Sequence, residues 1–262
     1  MFIRNQLFRA KKHEMNNKKI DIFIRNDFPD GITMPLGKTV AQVSHALGLL
    51  VLNRCEIVDE TDLAIILKMN PELHSTVLNK EFVTSELVLN YVSEDEVVAE
   101  CGGSVVVDRG KTVFWGRTVT CGAVARGGWL GAEVESNILS KEVVASVSVM
   151  QGIFVNTGTI AFDSQIIDMA SKLSVSAFFE AFDLSTGQAI VSKTSNLYRW
   201  LTNGYGKTVV RSKKGIHMEA LADGLANEGV EISGLAGHIF ATEPCKKELL
   251  ETFTRTKHTR LL

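Results

Sequence analysis

The chain contains no apolar run approaching the 18 or so residues that a membrane span requires, which argues against a transmembrane protein. Its N-terminus lacks the long apolar core of a secretory leader, so a cytoplasmic setting is expected. Cys55, Cys101, Cys121 and Cys245 are scattered with no CxxC pair and read as reduced, mostly structural thiols. The six histidines form no HExxH, so neither a zinc site nor any other metal is suggested, and no organic cofactor is implied. A P-loop is missing too. Three GKT triplets occur, at Gly37–Thr39, Gly110–Thr112 and Gly206–Thr208, but the glycine that GxxxxGK[ST] needs five positions earlier is Ile32, Val105 or Leu201. Without that glycine the loop cannot wrap a phosphate in backbone N–H groups.

What is present is a globular composition, 45% hydrophobic and 22% charged over 262 residues, enough for one large domain or two ordinary ones. The net charge of −2 is unevenly spread. Residues 1–19 carry a net +5 and residues 246–262 a net +3, leaving −10 for the body between them. Basic ends on an acidic body fit contact with nucleic acid, or simply solvated tails.

The element pattern is β-α-α-β-α-β-β-α, and it occurs twice. In the first pass "IDIFIR" (Ile20–Arg25) is a strand, and Leu36 onward a helix with Val40, Val43, Leu47, Leu50 and Val51 in one apolar stripe. A second helix is expected from about Asp62 through "LAIILKMNPELHSTVLN". Strands follow at Glu86–Val92, at Ser104–Asp108 and in "GRTVTCGAV", with a capped helix at "SEDEVVAEC" and a closing one at "GWLGAEVESNIL". The second pass begins with "GIFVNTG" and the helix Ser164–Phe182, and "VAQVSHAL" aligns with "IDMASKLS". The expectation is an α/β chain of two tandem three-layer domains, each a small mixed sheet flanked by helices. A basic extension (1–19), a first domain (20–140), a linker (141–150) and a second copy (151–262) make up the chain. The alternative is one large α/β domain.

Within the first helix Lys38, Gln42 and His45 stand at i, i+4 and i+7 and share a polar stripe. Lys38 sits in the first turn, whose free N–H groups already make that end positive. "IRND" followed by "GKTVAQVSHA" resembles the first strand and helix of the type 2 peptidyl-tRNA hydrolases, a family that carries G-K-x-A-A-Q-x-[SA]-H-A there. "VVVDRGKTVFWGRTVTCG" (Val105–Gly122) resembles that family's second signature, and "LKMNPEL" its N-P-E. The resemblance covers roughly residues 20–140.

It implies hydrolysis of the ester between a peptide and the 3′ end of tRNA. Lys38, Asp108 and Thr112 would be catalytic: Asp108 to orient or deprotonate water, Thr112 to bond that water or the substrate, and Lys38 to stabilise the oxyanion or hold a phosphate. Gln42, His45, Lys111 and Thr118 would face the substrate or support the site. A lysine at a helix N-terminus would then be the seat of an anion. The chain departs from the family in the loop before Lys38, "PDGITMPLGK", which is longer and has lost its lysines, and at Val113 and Trp115.

The second copy replaces Lys38, Gln42 and His45 by Gln165, Met169 and Lys172, and "SGLAG" offers no counterpart of Asp108 or Thr112. That copy is expected to be structural, standing in as an intramolecular pseudo-dimer partner; homo-oligomerisation is a further way to pair. The competing functional reading is a non-catalytic scaffold built from two copies of the fold.

Overall fold

A computed structural model describes residues 18–108, 113–114, 116–134, 148–203, 206–235, 237–254 and 259–262. The first half builds β1 (Lys19–Arg25), α1 (Leu36–Leu52), β2 (Cys55–Glu60), β3 (Ala64–Met69), α2 (Pro71–Leu78) and α3 (Glu81–Thr84). It continues with β4 (Glu86–Val92), α4 (Glu94–Cys101), β5 (Val105–Asp108) and β6 (Thr118–Ala125). The second half opens with β7 (Val149–Asn156), α5 (Asp163–Phe179), β8 (Gln188–Ser192), α6 (Asn196–Thr202) and β9 (Lys207–Ser212). Then come α7 (Gly215–Asn227), β10 (Ile232–Leu235), β11 (Ile239–Thr242), β12 (Cys245–Lys246), α8 (Lys247–Thr254) and β13 (Arg260–Leu261).

The two main sheets repeat one topology. The first runs β4-β1-β6-β5, with β1 parallel to β4 and the other pairs antiparallel. The second runs β10-β11-β7-β9-β13, with β7 parallel to β9 and antiparallel to β11. Reading β7, β9, β11 and β10 for β1, β4, β6 and β5 gives the same order, and β13 is an added edge. Each sheet has helices on both faces, so the chain is α/β with three layers around each sheet.

The helices α1 and α5 lie together between the two sheets. Val40, Val43, Leu47, Leu50 and Val51 of α1 are all buried, as the apolar stripe requires, and they join Ile166, Ile167, Val175 and Phe178 of α5 in one core. That core also takes in Ile20 and Ile22 of β1 and Ile153 and Val155 of β7, so it passes through both halves. Small residues lie where the helices meet: Ser44 and Ser174 line one small cavity between them, and the Ser171 hydroxyl donates to the Val40 carbonyl at 3.4 Å. Separate clusters cover the outer faces: Phe23, Val97 and Cys101 under α4, and Phe154, Val210, Met218 and Leu250 under α7 and α8. The α4 start forms the expected capping box, with Ser93 N–H donating to Glu96 Oε2 at 3.0 Å and Glu96 N–H to Ser93 Oγ at 3.4 Å.

Two stretches differ from the sequence expectation, and the strands β2, β8 and β13 are additions to it. "AIILKM" is the strand β3, and the helix starts only at Pro71, behind an Asn70 side chain that accepts from Leu73 N–H at 2.7 Å. A continuous apolar run fits either state; here it is a strand because β2 pairs with one edge and β8, from the second half, with the other. Near "GWLGAEV" the described residues form no helix beyond a 3-10 turn at Arg126–Gly128. Gly127, Gly128 and Gly131 all take positive φ, which an α-helix cannot include. The remainder of that expected helix, most of the basic N-terminal extension and most of the expected linker lie outside the described residues.

A second fastening joins the halves. Lys172, aligned with His45, is buried; its ammonium pairs with Asp168 at 2.7 Å and donates to the Ser85 carbonyl of the first half. Phe179 of α5 meets Phe82 of α3 edge-on at 5.3 Å. Among the described residues no helix is long and apolar enough to cross a membrane.

Candidate functional site

The first turn of α1 begins after Pro35 with no side-chain cap and no acidic residue, so its free N–H groups and Lys38 concentrate positive charge. The compensating anion comes from 70 residues away. Asp108 is the last residue of β5, and its Oδ2 forms an ion pair with the Lys38 ammonium. The two side chains are 16% and 9% exposed, so the pair is screened far less than a surface bridge yet still reaches solvent.

Gln42, one turn along α1, donates from Nε2 to the same Oδ2 at 2.9 Å. A carboxylate only accepts, so the amide nitrogen must face it and Oε1 is turned away. That oxygen accepts from the Thr120 hydroxyl at 3.1 Å, which also lies 3.2 Å from the Val106 carbonyl. Lys38, Asp108, Gln42 and Thr120 thus form one relay running from the rim into the buried interior. Thr120 was not legible as a site residue. Thr118, two positions earlier on the same strand, resembles the family's supporting threonine, but its hydroxyl donates to the Gly116 carbonyl at 3.3 Å. Strand alternation keeps both threonines on one face, and the only sequence signal for Thr120 is that spacing of two.

His45 lies a turn further along α1 and is half-buried. Lys111 and Thr112 fall outside the described residues. The loops flanking the relay meet through aromatic rings: Phe28, ahead of α1, and Phe114, behind Asp108, have centroids 4.6 Å apart. The Arg25 guanidinium lies 5.0 Å over the Phe28 ring and pairs with Asp27 and Glu94, tying this wall to the start of α4. On the other side the second half closes in. A Cβ built on Gly37 would stand 1.8 Å from the Leu262 carbonyl oxygen, so only glycine admits the end of β13 against this first turn.

Among the described residues the second half has no such relay. Gln165 and Met169 occupy the aligned helix positions and are exposed, and β10 ends on exposed Leu235 where β5 ends on Asp108. A small cavity does lie between the halves at the far end of α1, lined by Ser44, Gly48, Ser174, Phe178, Trp200 and Lys207. Half-buried Lys207 holds its ammonium 4.5 Å from the Trp200 ring centroid, and desolvation lowers its pKa to about 7. The four cysteines are buried thiols; burial raises Cys55 and Cys101 to about 12 and Cys245 to about 11, which leaves them unreactive. Among the described residues no three His, Cys, Asp or Glu side chains come together as metal ligands.

The chain matches no family model, no curated protein and no solved structure.

Proposed function

We propose that the first half is an aminoacyl- or peptidyl-tRNA ester hydrolase acting at Lys38 and Asp108. The observation that carries this reading is the meeting of Lys38, Gln42 and Asp108: two separate sequence motifs, each with its own resemblance to type 2 peptidyl-tRNA hydrolases, converge on one carboxylate oxygen. In this reading the ammonium, with three donors, turns from the carboxylate to the developing oxyanion of the ester. Asp108, fixed by Gln42 and Thr120, orients the attacking water, takes up its proton, and returns it to the 3′ oxygen of the tRNA as the acyl C–O bond breaks. Thr112 would bond that water or the substrate. The second half holds α1 in place as an intramolecular pseudo-dimer partner.

The scaffold reading draws support from a specific observation as well. The Lys38–Asp108 pair is largely covered and satisfies its own charge, as a structural clamp between α1 and β5 would. Release of N-acetyl-aminoacid from N-acetyl-aminoacyl-tRNA separates the two. A hydrolase turns over, and Lys38→Ala and Asp108→Asn each lower kcat by about 10²-fold or more. A folded wild-type protein with no turnover rejects the hydrolase and leaves the clamp.

A further inference from the structure

Arg260, one cation of the basic C-terminal end noted in the sequence, has a definite place in the fold. β9 lies in the run Lys207–Lys214, "KTVVRSKK", which carries four cations and no acid. Its residues alternate: Val209 faces the central core and Val210 the outer cluster, so Arg211 shares the face of Val209. β13 reads the same way. Leu262 packs on the central core and Leu261 is exposed on the opposite face, so Arg260 points with Leu262. The register sets Arg260 directly opposite Arg211, and both are exposed. Directly opposed residues have Cβ atoms about 5 Å apart, and like charges in that relation destabilise a sheet. One Nη of Arg260 donates to the Thr259 carbonyl at 2.8 Å, which turns its guanidinium back along the strand.

The neighbouring pair on this face is Val209 and Leu262, joined by a Leu262 N–H to Val209 carbonyl bond of 3.0 Å. Leu262 is the residue whose carbonyl lies against Gly37. The opposed arginines therefore stand about 7 Å along the strand from the residue that abuts the turn carrying Lys38. Two arginines set opposite each other on paired strands bring to one place two cations whose planar forks suit the oxygens of a phosphodiester.

We propose that Arg211 and Arg260 form a clamp for a backbone phosphate of an RNA whose 3′ end enters the Lys38–Asp108 site. The second half is then more than a support: it supplies the phosphate contact that the loop before Lys38 has lost with its lysines. The choice of RNA rests on the hydrolase reading; the arginine placement does not.

The test is binding of fluorescein-labelled deacylated tRNA to the full chain by anisotropy across 50–300 mM salt. R211Q/R260Q should bind roughly tenfold more weakly at 0.1 M salt, with a log K against log salt slope shallower by about one, the counterion release of one phosphate contact. R211K/R260K should keep the wild-type slope, which separates lost charge from lost structure. An R211Q/R260Q slope equal to wild type, or wild type that does not bind tRNA, overturns the clamp. Turnover is measured in parallel on N-acetyl-aminoacyl-tRNA and on the same ester carried by a CCA trinucleotide. The clamp expects R211Q/R260Q to lose rate on tRNA and keep it on the trinucleotide. No wild-type turnover on either substrate rejects the hydrolase, while the salt slope still decides the clamp.

Discussion

Replacing Gly37 by alanine tests the contact between the two halves at its tightest point. The new Cβ would lie 1.8 Å from the Leu262 carbonyl oxygen and 2.4 Å from its carbonyl carbon. Both are backbone atoms, so no rotamer change relieves the clash and one segment must move by more than 1 Å, about what ordinary van der Waals contact demands. The least costly movement is release of β13 from β9. At stake are about 1 kcal/mol for the Leu262 N–H bond to Val209 and about 1.5 kcal/mol for a half-buried leucine. Against them stand up to about 1 kcal/mol that alanine returns to a helix and the backbone freedom the released residues regain. These contributions largely cancel, so global stability shifts by no more than about 1 kcal/mol, a Tm change of about 2 °C or less for a chain of this size. Local protection falls much further. Hydrogen exchange at the Arg260–Leu262 amides should accelerate at least tenfold in Gly37→Ala while the amides of β7 keep their wild-type rates. Unchanged exchange at Leu262 would refute the placement of this segment on α1.

Thr120→Val removes the hydroxyl that holds Gln42 while keeping the side chain's shape. It strands a buried amide oxygen and should cost about 1–3 kcal/mol in urea unfolding; a loss below 0.5 kcal/mol would mean the relay ends at Gln42. Lys207 gives a pH signature. Its folded pKa of about 7 lies below the ordinary 10.5, so between those values the unfolded chain binds more protons and this residue's contribution to stability rises with pH. Lys207→Met should therefore be more stable than wild type near pH 7 by a margin that shrinks toward pH 10, and parallel stability curves would show the ammonium to be solvated.

The parts of this fold legible in the sequence are those set by local period. The stripe of Val40, Val43, Leu47, Leu50 and Val51 is buried as spaced, and the Ser93–Glu96 box opens its helix. The strand β3 was illegible because its identity depends on partners on both sides, one of them more than 100 residues later in the chain. In the site, the polar stripe pointed to Lys38 and Gln42, which reach Asp108. Thr120 escaped because what singles it out is a hydrogen bond across 78 residues, not its neighbours. Lys172 could be seen as a changed position, but its burial between Asp168 and Ser85 is a property of the assembled halves.

The pairing of β3 with β8 also sets an order of events on the ribosome. β3 emerges about 120 residues before the strand that covers its second edge. At 5–20 residues per second that interval is roughly 6 to 24 s. Through it the nascent chain presents a bare strand edge, and α1 shows the stripe that α5 later covers. Both are surfaces on which unfinished chains pair with one another. A slowed elongation rate past residue 139 would lengthen that exposure, and crowding of nascent chains on one message would turn it into misassembly. The arrangement that makes one core of two halves thus leaves the first half dependent on the second before that core is complete.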